Sequence, residues 1–177
     1  VTASDGVNIR KSYSTSSDIL GAIPYSSSIS VKGEKFTVSG DKSPDTIWYN
    51  IDSAYGSGYI RSDLASVSYS AYAAGTTTDA LNVRDGAGTS FADKGTLAKG
   101  TSVKVAGAAE APNGSSWYKI YLDGEYLYVS ASYVSLSGGS SPSNPSGDAD
   151  FEKQLEAENF PESYRVFLRA LHEKYPN

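Results

Sequence analysis

Polar and apolar residues alternate with period two along most of the first 136 positions. "SISVKG" (28–33) and "TSVKVAG" (101–107) are the clearest runs, and such alternation is the mark of a half-buried strand. In "SSWYKIYL" (115–122) the alternation separates two faces: Tyr118, Ile120 and Leu122 are expected in the core, and Trp117, Lys119 and Tyr121 at the surface. Asn113-Gly114 precedes this run, and Asp123-Gly124 separates it from "EYLYVS". Both dipeptides tolerate the positive φ angles of tight hairpin turns. After residue 150 the period changes. Phe151, Leu155 and Phe160 fall at helical spacing, as do Tyr164, Phe167, Leu168, Leu171 and Tyr175. Pro161 suits the first turn of the second helix, and Pro176 stops it. Two such helices cannot bury that much apolar surface alone, so they belong to something larger or lie against the β part.

The same phrases occur twice. Placing Arg10 on Arg84, a shift of 74, lays "SDGVNIR" on "TDALNVR". "IWYNI" (47–51) then matches "SWYKI" (116–120), and "YIRSDLA" (59–65) matches "YVSASYV" (128–134). The shift has by then dropped to 69, so one loop is shorter in the second copy. Three anchors in one order predict two small domains, 1–68 and 74–136. Each is of a size that has only a thin core, so the pair is expected to gain from packing together. Tyr69 and Tyr72, in the joining "SVSYSAYAAGTT", are candidates for that contact. Residues 137–150, "SGGSSPSNPSGDAD", have a linker composition, and 151–177 form a short helical segment. The expected fold class is mostly β: two small barrels in tandem, a linker, and a helical C-terminal piece.

Composition narrows the chemistry. The chain has 177 residues and a net charge of −5, which argues against a nucleic-acid partner, since phosphate binding needs a basic patch. Cysteine is absent, which removes disulfides, thiolate metal sites and a cysteine nucleophile. Methionine is absent too, so a mature or excised form without its signal peptide is expected. No run approaches the roughly 20 apolar residues of a membrane span. His172 is the single histidine and sits in the helical segment, far from both repeats. Neither a histidine-dependent nucleophile nor an ordinary zinc site can be built around it. Glu152, Glu156, Glu158, Glu162 and Glu173 also lie there, at spacings that make helical neighbours rather than a carboxylate pair across a sugar cleft. "RDGAGTS" (84–90) lacks the Lys-Ser/Thr of a phosphate loop. No catalytic residue, cofactor or metal is therefore expected.

The repeated motifs resemble the bacterial SH3 family. In this chain they read "SDGVNIRKSYSTSSDILGAIP" and "TDALNVRDGAGTSFADKGTLAKG", each followed by W-Y-x-I and Y-[IV]. The resemblance covers about 130 residues and implies small five- to seven-stranded barrels. It further implies a secreted or surface-attached protein, such modules being thought to hold hydrolases on peptidoglycan. The first copy departs at "PYSSS", where the family often has a glycine-containing turn. "FPESYRVFLRALHEKYPN" resembles the opening helices before a glucosaminidase-type catalytic region in surface proteins of Gram-positive bacteria. Together these imply a non-catalytic targeting region of a larger wall hydrolase, a glucosaminidase or amidase, expected to be monomeric. The alternative is a structural spacer or a protein adaptor.

For the ligand, a glycan strand or stem peptide, the residues expected to bind are Arg10, Tyr13, Trp48 and Tyr59 in the first copy. Arg84, Phe91, Trp117 and Tyr128 are taken as their counterparts. Aromatic faces cover the C–H side of a sugar, and guanidinium grips a carboxylate with two prongs. Each has a plainer reading. The tryptophans brace their barrels, the arginines fix a neighbouring loop through backbone carbonyls, Tyr59 and Tyr128 form core edges, and Asn8 and Asn82 hold turns. Two weak sites on one chain would add by avidity. The second copy follows the motif better and is the first choice as binder.

Overall fold

A computed structural model describes residues 1–69, 71–137 and 162–174. Among these are twelve strands and one α-helix. β1 (Val7–Arg10), β2 (Ile19–Ile23), β3 (Ser30–Phe36), β4 (Ile47–Asp52) and β5 (Gly58–Arg61) form a first half. β6 (Ala73–Thr77), β7 (Leu81–Arg84), β8 (Asp93–Leu97), β9 (Ser102–Glu110), β10 (Ser116–Leu122), β11 (Glu125–Ser130) and β12 (Val134–Leu136) form a second. The helix α1 spans Glu162–Lys174. The described residues are thus mostly β with one C-terminal helix. The expected helix with Phe151, Leu155 and Phe160 lies outside the described residues, as do Tyr175 and all of the 137–150 linker but Ser137.

The strands join in the order β2-β1-β5-β4-β3-β9-β10-β11-β7-β8, with β6 between β12 and β9. The order reads the same from either end once β1–β5 are matched to β7–β11. β1 carries a register shift at Ile9/Arg10 and β7 one at Val83/Arg84. Arg10 then pairs with Tyr59, and Arg84 with Tyr128. The centre is a parallel contact of two residue pairs, Glu34 with Ala109 and Lys35 with Glu110. β9 has room for it because its nine residues outlast β6, which pairs only with Ser102–Val105.

The turns follow their sequence signals. Asp123 (φ 50°) and Gly124 (φ 91°) close the β10–β11 hairpin across the pair Leu122–Glu125. At "PYSSS", Ser26 adopts φ 63°, the place held by Gly100 (φ 82°) in the second half. Serine there accepts a left-handed backbone that glycine adopts without a Cβ penalty. Asn8 and Asn82 hold no turn: both are exposed within strands, and Asn82 accepts a hydrogen bond from Thr96 Oγ1 at 3.1 Å.

Three apolar clusters hold the fold. Val7, Ile9, Ile23, Ile51, Ile60 and Ala65 fill the first half. Val83, Val105, Tyr118, Ile120, Leu127 and Val129 are central to the second, and α1 closes it by inserting Tyr164 and Phe167. The third lies between the halves: Phe36, Ala87, Phe91, Ala109, Ala111, Trp117 and Tyr128. This third cluster corrects the two-faced reading of β10. Trp117, expected at the surface, is buried because the first half covers that face. Leu122, at the strand end, is only partly buried against the second-half core.

Candidate functional site

The two arginines act first on their own loops. Arg10 Nη1 donates to the Ser17 carbonyl at 2.8 Å, and Arg84 Nη1 to the Phe91 carbonyl at 2.9 Å, each seven residues downstream. A guanidinium at a strand end thereby closes the loop to the next strand, which is why Arg occupies both places. The matched bonds put Phe91 opposite Ser17, so Phe91 is not the counterpart of Tyr13. Tyr13 falls level with Ala87.

The eight sequence-nominated residues do not share one environment. Trp48, Phe91, Trp117 and Tyr128 are buried. Phe91 and Tyr128 meet Phe36 edge-on, with ring centroids 5.2 and 5.3 Å away. The first-half pair differs. Tyr13 is 43% exposed and packs edge-on against half-buried Tyr59 at 5.5 Å.

Beside that pair runs a groove of about 460 Å³ across the contact between the halves. Tyr59, Lys11, Leu20 and Lys32 border it from the first half, and Ala109 and Glu110 from the second. Leu20 is exposed, as is Lys11. Lys35 lies beneath, ion-paired to Glu110, donating to the Ala111 carbonyl at 3.2 Å, with its ammonium 5.1 Å from the centre of the Tyr13 ring. Lys32 stands 3.8 Å from Asp52. The groove thus sets Tyr59 against a lysine rim in a chain that is acidic as a whole. Burial, the Glu110 charge and Tyr13 together raise the Tyr59 hydroxyl, which stays a neutral donor at ordinary pH.

A second polar group lies deeper. Buried Glu34 accepts from Lys119 Nζ at 2.6 Å, from the Tyr128 hydroxyl at 2.6 Å and from the Tyr69 hydroxyl at 3.3 Å. Lys119 also sits 5.3–5.5 Å from the ring centres of Tyr69, Tyr126 and Tyr128. Burial first, then the Glu34 charge, pushes Tyr128 well above its ordinary range, and Tyr69 rises for the same reasons. Of Tyr69 and Tyr72, both expected at the contact, Tyr69 bridges it, reaching Glu34 in β3 and Tyr126 in β11, while Tyr72 hydrogen-bonds Tyr126 at 3.0 Å within the second half.

Sequence reasoning missed Glu34, Lys35, Phe36, Lys119 and Glu110. The sequence carries no signal for them: a strand covered on both faces ordinarily reads as a continuous apolar run, whereas in "GEKF" the charges of Glu34 and Lys35 look like a solvent face until Lys119 and Glu110 are found opposite them. Among the described residues, no group of three or more His, Asp or Glu side chains is placed to hold a metal ion.

The model of the bacterial SH3 domain family matches residues 79–135, from just before β7 into β12. No curated protein matches the chain. The arginine-closed loop, the Arg84–Tyr128 pairing and the five-stranded path β9-β10-β11-β7-β8 all lie in that stretch, so that residues 79–135 are a bacterial SH3 domain.

Proposed function

We propose that the chain is a non-catalytic wall-binding region made of two bacterial SH3 domains, 1–68 and 74–136, that targets a secreted hydrolase to peptidoglycan. The matched stretch supports the second domain. The mirrored strand order and the repeated Arg-to-carbonyl bond support the first. The observation that carries the binding reading is the open groove bordered by Tyr59 and a lysine rim, with exposed Tyr13 packed edge-on beside Tyr59. Tyrosine faces take the apolar side of a sugar or alkyl chain, while Lys11 and Lys32 meet a stem-peptide carboxylate.

The burial of both tryptophans favours the spacer or adaptor reading, since rings sealed in the core bind nothing. Sedimentation with purified peptidoglycan separates the two. The binding reading expects the chain to co-sediment, Tyr13→Ala and Tyr59→Ala each to weaken this at least tenfold, and a zymogram to stay uncleared. Co-sedimentation no better than a chain lacking both tyrosines would leave the spacer reading standing.

A further inference from the structure

We infer that the first domain covers the ligand face of the second, so that a chain with two copies of one binding fold presents a single open site. This rests on the wall-binding reading above and says which copy performs it.

The cover is a specific segment. Between the Arg and Trp-Tyr anchors the repeat shift falls from 74 to 69, so the first copy is five residues longer there. The longer loop is the β3–β4 connection, 37–46. It is braced internally: Thr46 Oγ1 donates to the Ser43 carbonyl at 2.7 Å and Thr37 Oγ1 to the Thr46 carbonyl at 2.9 Å. It rests on the β7–β8 loop of the second half. Lys42 Nζ bonds Asp85 at 2.6 Å, and Gly40 passes so close that a Cβ would stand 3.2 Å from the Ser90 carbonyl. Phe36, at the root of the loop, is 1% exposed and fills the space between Phe91, Trp117 and Tyr128. Glu34 takes the Tyr128 hydroxyl, the group that in the first half, as Tyr59, faces the groove. The reverse contact is incomplete. The β9–β10 loop, 111–115, is the short version and carries no ring onto Tyr13 or Tyr59. Among the described residues, the second domain supplies Ala108–Glu110, Gly114 and Ser116 to one wall of the open groove, and α1 adds Ser163 and Tyr164.

The test uses the 177-residue chain and a soluble disaccharide–stem-peptide fragment of peptidoglycan. Calorimetry on the native chain is expected to give one fragment per chain, and Tyr59→Ala to abolish binding although Tyr128, Trp117 and Phe91 remain. Two fragments per native chain, or binding that survives Tyr59→Ala and is lost with Arg84→Ala, would overturn the inference. The cover itself is read without ligand. Lys42→Glu, a change at an exposed position, and a variant with five residues removed from 38–42 should each speed amide hydrogen exchange in 84–91 at least tenfold. Unchanged exchange in both would remove the cover. If no fragment binds any form, the wall-binding reading falls, while the exchange result still decides whether the segment shields the second domain.

Discussion

At the scale of single residues, backbone conformation and buried charge decide most. Ser26 occupies a left-handed turn position at φ 63° that its counterpart fills with Gly100. Ser26→Gly is therefore expected to stabilise the protein by about 0.5–1 kcal/mol, the left-handed penalty relieved less the extra freedom of the unfolded chain. A urea midpoint comparison reads it. Glu34 is the opposite case. Its carboxylate is nearly sealed and balanced by Lys119, itself mostly covered. Removing one partner strands the other, so Glu34→Ala should cost about 3–5 kcal/mol, whereas Glu34→Met with Lys119→Met should cost much less than the two single changes together. Equal and additive losses in thermal unfolding would mean that the two side chains do not act as a pair.

At the scale of elements, the halves close by bringing β5 against β1 and β11 against β7. In the first half this closure runs through Gly58. A Cβ there would stand 2.6 Å from the Arg10 carbonyl oxygen and 2.7 Å from Ile9 Cγ2, too close for either to stay where it is. Gly58→Ala is expected to destabilise by about 2–3 kcal/mol and to loosen amide protection in β1 and β5 before β9 and β10. A uniform loss of protection across all strands would show that the halves do not open separately. The elements were legible from the sequence where one face meets water. The 115–130 hairpin appeared in its alternation and its Asp-Gly turn. β3 was not legible as an inner strand, because Glu34 and Lys35 look like surface residues until Lys119 and Glu110 are found opposite them.

At the scale of the whole molecule, the contact between the halves is rich in tyrosine held neutral by burial. Tyr49 is pushed up to about 12, by burial first and by the Glu34 charge second, and Tyr69 and Tyr128 rise as well. A folded-state value above the unfolded one means that the folded chain holds its proton longer. The stability tied to these groups is then fully present below the ordinary tyrosine value of 10.0 and is lost as pH rises through the raised values. The urea midpoint should hold steady up to about pH 10 and fall steeply between about 10 and 12, with tyrosinate absorbance rising in the same interval. Tyr128→Phe should soften that fall. A flat midpoint across this window would show that the rings ionise without disturbing the contact.

The sequence by itself determined the strand-rich class, the repeated phrase, the hairpin turns and the helical spacing after residue 150. Those properties are local: side-chain alternation, glycine and aspartate at positive φ, and periodicity survive in a one-dimensional string. Which tyrosines face solvent, and which half keeps its groove, was decided only in three dimensions. Tyr59 and Tyr128 occupy the same place in the repeat and pair with equivalent arginines, yet one borders an open groove and the other lies under Phe36. That difference comes from a five-residue loop insertion and a two-residue parallel contact, which join positions about 75 residues apart. No periodicity records a contact of that kind, because burial depends on what arrives from elsewhere in the chain.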